Sequence, residues 1–566
     1  MIRAFDGNEK RKTATLDGEW YFITDANNMG KASGYTSAIP EECKKTYVPS
    51  VWNTDLGLLE YCGVAWYFRK FTTESGNFRL HFGAVMTQAD VWVDGEHKAS
   101  HYGGYTAFSV ELPELTKGEH LIAVKVDNGF DHGAIPSKMV DWYHYGGIIR
   151  SVILEEMKGI CILSSQANYT LDHEAKTADI RFTVILKNYA TDGGIDGELK
   201  IKLNGKELLT APVTVPELSE CYFISENISL TDVDLWSPDS PILYTLDTET
   251  KTDGLRDRIG FRTVEVKTDG VYLNGNLIRI DGVCRHEEHP DFGQAFPEAL
   301  MERDLDIIKN MNANAIRGSH YPNSQYFVDL MDEHGVLFWS EIPIWGVGYT
   351  AEMLGDPLFV ERANRMITEM ADQYGNHPSI IIWGIHNEIP SDNDNAVALS
   401  ELLYNNLKKR NDGRIVTYAA NHPFSDRCVE YCDIICINKY NGWYGESIES
   451  WSQFLADYRE HREKIGMSHK PVIISEFGAA AIYGHHTFDD IKWTEEYQAR
   501  LFDHIIGLFH EDDMVVGTYI WQYCDIRTCE EMGLNRARGF NNKGVVNEYR
   551  RPKMAYNAVK RRYSEK

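Results

Sequence analysis

The chain has 566 residues, of which 43% are hydrophobic and 25% are charged. This composition is typical of a folded globular protein, and the length predicts three or four domains, or fewer if one is a large barrel. The formal net charge of −27 argues against nucleic acid and anionic membranes as partners, because a field of that sign repels them. An anionic substrate would need a local cation in its binding site.

The first twenty residues lack the apolar core and the small-residue cleavage site of a signal peptide. No stretch of the sequence is long and apolar enough to span a membrane. The ten cysteines are scattered without a CxxC pair, and no His pair in zinc-finger spacing follows Cys428, Cys432 and Cys436. This pattern is typical of reduced thiols, and we expect a cytoplasmic protein.

Two β-rich regions come first in the chain. Residues 1–157 contain short alternating segments such as EWYFI, AWYFRKF and ADVWVDG, punctuated by Gly, Asp and Asn. They predict an antiparallel jelly-roll β-sandwich. Residues 158–265 contain further strand patterns, such as ADIRFTVIL and GELKIKLNG, with few helical patterns. Their size and spacing predict an immunoglobulin-like β-sandwich.

The pattern changes in residues 266–566, where apolar strand-like runs alternate with amphipathic helical stretches such as PEALMERDLDIIKNMN. The eight candidate strands are LIRIDGV, ANAIRGS, VLFWSEI, IIIWGIHN, RIVTYAA, DIICINKY, PVIISEF and VVGTYIW. Eight strands with intervening helices in about 300 residues predict a (β/α)8 TIM barrel. In that fold the active site lies at the carboxyl ends of the strands.

Two candidate strand ends carry a glutamate. The fourth strand ends in IIIWGIHNEIP, with Asn387 and Glu388 at its end, and the seventh ends in PVIISEFG, with Glu476. A single glutamate at such a position is commonly a salt bridge or a helix cap. Two carboxylates facing one cavity are what glycoside hydrolysis needs, because one donates a proton and the other is a nucleophile or base.

Other strand ends add polar and aromatic groups that suit a sugar. They are His286 and Glu287 after strand one, Arg317 and His320 after strand two, Asn438, Tyr440 and Tyr444 after strand six, and Trp521 after strand eight. The run 286–289 reads His-Glu-Glu-His, but it lacks HExxH spacing and a predicted helix, so we expect no metal. GxSxG, GxxxxGK[ST] and strand-linked GxGxxG motifs are missing from the sequence, which argues against serine, nucleotide and dinucleotide chemistry.

The chain resembles glycoside hydrolase family 2 and, within it, the bacterial β-glucuronidases, over nearly its whole length. The resemblance is carried by VPSVWN, YGGYTAFSVEL and YHYGGIIRSVIL in the first region, and by SHYP, NHPSIIIWGIHNE, INKYNGWY and IISEFG in the barrel. It implies a retaining mechanism with Glu388 as acid/base and Glu476 as nucleophile. Asp141, His320, Asn387, Asn438, Tyr440, Tyr444 and Trp521 become the candidate substrate contacts.

The stretch RGFNNKGVV, residues 538–546, would ordinarily be read as a polar surface turn. β-Glucuronidases carry an Asn-x-Lys pair after the eighth strand that holds the sugar carboxylate, and Asn541 and Lys543 match it. The family often has Arg four residues before this Asn, where this chain has Ala537 between Arg536 and Arg538. Either arginine is a candidate replacement. The segment after strand three is short, which indicates an open mouth suited to bulky glucuronides or short oligosaccharides.

The resemblance implies an exo-acting β-glucuronidase that takes a small-molecule or oligosaccharide glucuronide. The alternatives are another family 2 exo-glycosidase, such as a β-galacturonidase or a β-galactosidase, and a non-catalytic carbohydrate-binding protein. Asn541 and Lys543 argue against neutral sugars but separate one uronic acid from another poorly. We expect a homo-oligomer and no cofactor for catalysis, although some similar bacterial enzymes carry a flavin away from the active site and no motif decides this here.

Overall fold

The computed structural model describes residues 10–189 and 193–565. They fold as two β-sandwiches followed by a closed parallel barrel, which confirms the predicted fold class. The first sandwich begins with a four-stranded sheet, in the order Thr13–Thr15, Val152–Met157, Gly76–Phe82 and Phe108–Leu115. It is completed by a six-stranded sheet, in the order Lys44–Val48, Gly18–Thr24, Val64–Thr73, Gly118–Asp127, Gln88–Val93 and Glu96–Tyr102. A short pair, Val85–Met86 with Gly147–Ile148, lies beside them.

The second sandwich shows the alternation that buries one face of each sheet. In the strand Thr177–Asn188 the side chains of Ile180, Phe182 and Val184 are buried between exposed or half-buried neighbours. One sheet contains Ile160–Asp172, Thr177–Asn188 and Glu220–Ile224, with Ile228–Thr231 also paired to the central strand. The other has the order Lys206–Val215, Ile195–Leu203, Tyr244–Glu249 and Gly254–Ile259, and Trp236–Ser237 pairs with Ser240–Pro241.

Seven of the eight barrel strands are buried along their whole length, and the first contains one half-buried residue, Asp281, as expected for parallel strands covered on both faces. In order they are Ile280–Cys284, Ala315–Gly318, Leu337–Glu341, Ile380–Asn387, Ile415–Ala420, Ile435–Asn438, Val472–Phe477 and Val515–Ile520. A three-stranded sheet, Val264–Lys267, Gly270–Leu273 and Asn276–Ile278, precedes them. Val271 and Leu273 pack with Ala315 and Leu337, the first residues of two strands, so this sheet closes the amino-terminal end of the barrel.

Amphipathic helices cover the outside of the barrel. In Pro357–Gln373 the buried residues include Phe359, Ala363, Met366 and Met370, and the Asp356 side chain caps the helix. The α-helices are Glu298–Asn310, Gln325–His334, Ala351–Leu354, Pro357–Gln373, Asp394–Lys408, Trp451–Lys464, Glu495–Glu511, Glu530–Gly533 and Met554–Ser564. The 3-10 helices are Trp52–Thr54, Gly346–Gly348, Val429–Tyr431, Ile448–Ser450 and Ala537–Gly539. Among the described helices, none combines the length and the apolar character needed to cross a membrane.

The first sandwich packs against the mouth of the barrel. The Tyr105 ring stacks on Tyr321 with centroids 4.1 Å apart, and Arg150 Nη2 donates to Glu287 at 3.1 Å. The paired strands Ile526–Arg527 and Phe540–Asn541 follow barrel strand eight. These contacts bring a loop of the first sandwich to the carboxyl ends of the barrel strands. The predicted domain limits at 157 and 265 stay a prediction.

Candidate active site at the carboxyl ends of the barrel strands

A cavity of about 430 Å3 opens where the barrel strands end. The side chains that line it come from barrel strand ends, the first sandwich and the segment after strand eight. They are Asp141, Trp345, Val347, Glu388, Asn421, Asn438, Lys439, Tyr440, Tyr444, Glu446, Glu476, Trp521, Met532, Asn535, Arg536 and Lys543. Its size is in the range of small-molecule binding sites.

Glu476 lies on barrel strand seven with its carboxyl group fixed on both oxygens. Arg317 Nη1 donates to Oε1 at 2.9 Å, and the Tyr440 hydroxyl donates to Oε2 at 2.7 Å. Only 3% of the Glu476 surface is exposed, and Arg317 is fully buried. The cation and the hydroxyl both favour the carboxylate form, as a nucleophile requires.

Glu388 follows barrel strand four with a backbone φ of 53°, in the left-handed region. Asn438 Nδ2 donates to its Oε1 at 2.7 Å, and Asn421 Nδ2 donates to its Oε2 at 3.5 Å. Gly346 packs against this backbone so closely that a Cβ there would lie 1.5 Å from the Glu388 carbonyl oxygen. The strand end, the amides and the glycine together hold this carboxyl group at the cavity.

The two carboxyl groups differ in their electrostatic surroundings. Burial raises the pKa of Glu388, and the Asn438 hydrogen bond opposes this rise. Burial also raises the pKa of Glu476, where the Arg317 guanidinium is the strongest opposing influence. The direct contacts nevertheless differ: a cation and a hydroxyl at Glu476 favour its ionised form against a pKa that burial raises to about 8, whereas neutral amides contact Glu388.

A buried charge network holds Arg317 in place. The guanidinium donates to both Glu341 oxygens at 3.0 and 3.1 Å and to Asn387 Oδ1 at 2.8 Å. His320 Nδ1 lies 2.6 Å from the same Glu341, and burial lowers the His320 pKa to about 4, so this imidazole is neutral. Arg317 is therefore locked by a bidentate pair and presents its remaining donor to Glu476.

The segment RGFNNKGVV contributes Lys543 to the wall of the cavity. Lys543 Nζ donates to the Tyr444 hydroxyl at 2.8 Å and lies over the rings of Tyr440, Trp443 and Tyr444 at 4.9 to 5.9 Å. Only 1% of the lysine is exposed. A surface turn would leave this side chain in water, whereas here it is a nearly desolvated cation that contributes to the cavity wall.

Arg538, the first residue of this segment, and Arg536, two residues before it, have different surroundings. Arg536 lines the cavity, where its Nη2 donates to Asp141 Oδ2 at 2.6 Å and its Nη1 donates to the Tyr444 hydroxyl at 3.2 Å. Arg538 donates instead to Glu548 at 2.8 Å and to Asn542 at 3.0 Å. Arg536 is thus the arginine that reaches the cavity.

Eight of the eleven sequence-predicted site residues line the cavity, and three lie directly behind it. Asn541 donates its Nδ2 to Asp141 Oδ2 at 2.7 Å, and Asn387 accepts from Asn438 at 3.0 Å. His320 stacks on Trp521 with ring centroids 5.0 Å apart. All three are nearly or fully buried, and each contacts a residue that lines the cavity.

Sequence reasoning missed Glu341 and Asn421, which hold Arg317 and Glu388 respectively. Glu341 ends barrel strand three, so the strand-end rule applied to WSEI would have found it. The two histidines of the His-Glu-Glu-His run pack against different residues. His286 packs among Trp142, His320 and Trp521, whereas His289 packs against Phe292 and Tyr549.

Comparisons with known proteins identify the family of the chain. Three family models match consecutive parts of the chain: the sugar binding domain of the glycosyl hydrolases family 2 over residues 58–157, the family 2 domain over 162–262, and the family 2 TIM barrel domain over 264–566. A solved family 2 β-galacturonidase from Eisenbergiella tayi bound to galacturonate is 34% identical, with a TM-score of 0.91 over 100% of this chain and 99% of that one.

Two further relatives are called β-glucuronidases. The Ruminococcus gnavus crystal structure is 25% identical, with a TM-score of 0.88 over 99% of this chain and 98% of that one. The Bacteroides fragilis protein is 30% identical over 82% of this chain and 70% of its own length. With the barrel model alone spanning more than half of the 566 residues, the chain belongs to glycoside hydrolase family 2 and is a glycoside hydrolase.

Proposed function

We propose that the protein is a retaining, exo-acting β-glucuronidase that releases glucuronate from β-D-glucuronides. The carrying observation is that two carboxyl groups, Glu388 and Glu476, and two cations, Lys543 and Arg536, line the same cavity. A uronic acid can use both pairs, because its anomeric carbon C1 and its carboxylate on C5 flank the same ring oxygen.

The cationic part of the cavity suits an acid group. On a protein of net charge −27, a sugar carboxylate needs a charged donor, and Lys543 presents a nearly desolvated ammonium group. Arg536 supplies a second cation, held by Asp141 and Tyr444. Asn541 uses one amide N–H for Asp141, and in this proposal its other N–H serves the sugar carboxylate.

The proposed reaction has two displacements. Glu476 attacks the anomeric carbon while Glu388 protonates the leaving oxygen, and Glu388 then activates water to release the sugar. Arg317 and Tyr440 favour the ionised form of Glu476 and oppose the rise in its pKa that burial causes, and Asn438 orients Glu388. Both the proton and the nucleophile come from the protein, so the proposed chemistry needs no cofactor.

A second candidate substrate is the β-galacturonide, and the Eisenbergiella tayi structure favours it at 34% identity. The two uronic acids differ in the orientation of the hydroxyl at C4, the carbon next to the one that bears the carboxylate. Asp141 joins Arg536 and Asn541 beside the proposed carboxylate site, and its buried Oδ1 has no hydrogen-bond partner in the described structure. In this proposal, that oxygen is the candidate acceptor for a sugar hydroxyl.

One experiment tests both proposals. Rates on p-nitrophenyl β-glucuronide, β-galacturonide, β-galactoside and β-glucoside are compared side by side, and the first product is followed by NMR. We expect a uronide to be preferred over its neutral counterpart, with the β-anomer released first. Preference for galactoside or glucoside would refute the uronide assignment, and absence of turnover on all four would refute both proposed substrates. The cytoplasmic location and the homo-oligomeric state stay predictions.

A further inference from the structure

A fully buried ion pair lies behind the segment that carries Lys543. Lys553 Nζ lies 2.7 Å from Asp525 Oδ1, and both side chains have no exposed surface. Asp525 follows barrel strand eight, and Lys553 precedes the last helix, Met554–Ser564. Neither residue lines the cavity.

The pair is bonded directly to the backbone around Lys543. Lys553 Nζ donates to the Asn542 carbonyl at 3.0 Å, and the Gly544 N–H donates to Asp525 Oδ1 at 2.9 Å. The approach is close, since a Cβ on Gly544 would lie 2.3 Å from the Asp525 backbone nitrogen. The residues on both sides of Lys543 are therefore held by one buried ion pair.

The same groups also hold the segment after barrel strand seven, which carries Glu476. Lys553 Nζ donates to the Ala481 carbonyl at 2.7 Å. Gln498, fully buried, donates its Nε2 to the Ala479 carbonyl at 2.8 Å and to the Lys543 and Gly544 carbonyls at 3.3 and 3.1 Å. Ala481 N–H also donates to the Asn542 carbonyl at 3.0 Å. The Ala481–Asn542 bond joins the two segments directly, and Lys553 and Gln498 each bridge them by bonds to both.

We propose that Asp525, Lys553 and Gln498 are positioning residues that set the location of the Lys543 ammonium relative to Glu476. The inference rests on the proposed uronide function. A uronic acid ring fixes the spacing between its anomeric carbon and its carboxylate, so nucleophile and cation must keep a matching spacing. Displacements of about 1 Å at a positioning residue cost roughly 100-fold in rate.

A purely structural role fits these contacts less well. Desolvating two charges is costly, and a buried ion pair is often no more stabilising than apolar residues of the same volume. Its advantage here is directional. One ammonium group fixes a carboxylate and the two carbonyls of Ala481 and Asn542 at the same time. Such a supporting shell is what keeps a functional cation in a single position.

The test uses Lys553→Met and Gln498→Met in the full-length enzyme, with Arg414→Met as a matched control. Arg414 is also a buried cation that pairs with a carboxylate, Asp412, and donates to backbone carbonyls, but it precedes strand five at the opposite end of the barrel. Each variant is assayed on the best aryl β-uronide and on the neutral aryl glycoside with the same C4 configuration. Thermal unfolding is measured in parallel.

We expect Lys553→Met and Gln498→Met to lower kcat/KM for the uronide by roughly 10- to 100-fold, mainly through KM, with a much smaller change for the neutral glycoside. Arg414→Met should lower kcat/KM equally for both substrates or leave both values unchanged. Adding Lys553→Met to Lys543→Ala should cause little further loss on the uronide, because the first residue acts through the second.

Two outcomes separate the inference from the proposed function. Suppose that Lys543→Ala loses kcat/KM only for the uronide, but Lys553→Met and Gln498→Met lower kcat/KM equally for both substrates. The positioning role is then overturned and the proposed function stands. If the loss of kcat/KM in Lys543→Ala is also equal for both substrates, the uronide assignment itself fails. If Lys553→Met does not fold, Gln498→Met tests the positioning role by itself, because it removes neutral donors and leaves the ion pair intact.

Discussion

Asn438 donates its Nδ2 to Glu388 Oε1 at 2.7 Å while its own backbone pairs in register with Glu476 on the neighbouring strand. One residue thus links the two carboxyl groups of the cavity. Its Oδ1 in turn accepts the Ser475 hydroxyl at 2.7 Å, which fixes the amide orientation. The donor therefore faces Glu388, so the spacing of the two glutamates depends on the barrel itself and less on flexible loops.

Removing either glutamate should have a different consequence. Glu476→Ala should abolish turnover of every substrate, because the attacking group is lost. Glu388→Ala should lower the turnover rate roughly 10²- to 10⁴-fold, the usual range for general acid–base catalysis. On activated aryl substrates the rate of its first step should change little, because such a leaving group needs little protonation. Added azide should raise the turnover of Glu388→Ala and give a β-glycosyl azide. Azide rescue of Glu476→Ala with that same β-product would reverse the two roles.

Lys543→Ala should lose activity selectively on uronides. The bound carboxylate would be buried without its cation, which costs on the order of 2–5 kcal/mol, or roughly 30- to several-thousand-fold in kcat/KM. Slow β-glucosides should be nearly unaffected, since they offer no carboxylate. Asn541→Ala should show the same selectivity with a smaller loss. Steady-state kinetics on both substrates checks this, and equal losses would mean that the segment supports the barrel in general.

Arg536→Met and Arg538→Met form a matched pair five and three residues before Asn541. Arg536 lies in the cavity and neutralises Asp141, whereas Arg538 pairs with Glu548 outside it. We expect Arg536→Met to lower uronide kcat/KM by about 10- to 100-fold, the value of a charge-assisted hydrogen bond, and the unpaired Asp141 would add repulsion. Arg538→Met should retain near wild-type selectivity. A larger selective loss in Arg538→Met would contradict the assignment of the cavity arginine.

Tyr440→Phe should shift the pH profile of kcat/KM. The Tyr440 hydroxyl donates to Glu476 at 2.7 Å and lowers the pKa of that carboxyl group, opposing the effect of burial. Without this donor the Glu476 pKa rises, and because attack requires the carboxylate, the acid limb of the profile should move to higher pH. The maximum rate should fall as well. A pH series on an aryl uronide for the wild type and the variant measures the shift, and an acid limb displaced to lower pH would contradict the assignment.

Much of the architecture follows from local sequence. All eight strand segments identified from apolar runs form the barrel, because a parallel strand buried on both faces must be apolar along its length. The rule that strand ends meet at one edge then places Glu388, Asn438 and Glu476 around a common cavity. Periodicity and one topological rule are enough for this step, since both depend on residues close together in the chain.

The remaining features needed the tertiary structure, because they join segments hundreds of residues apart. Sequence left Arg536 and Arg538 equivalent, and only the contact with Asp141, from the first sandwich, distinguishes them. The shell of Asp525, Lys553 and Gln498 behind Lys543 has no motif, since its bonds go mostly to backbone carbonyls, which every residue type carries. Local sequence pattern determines which face of a strand is apolar, but the partner that a buried charged group contacts depends on which distant segments fold against it.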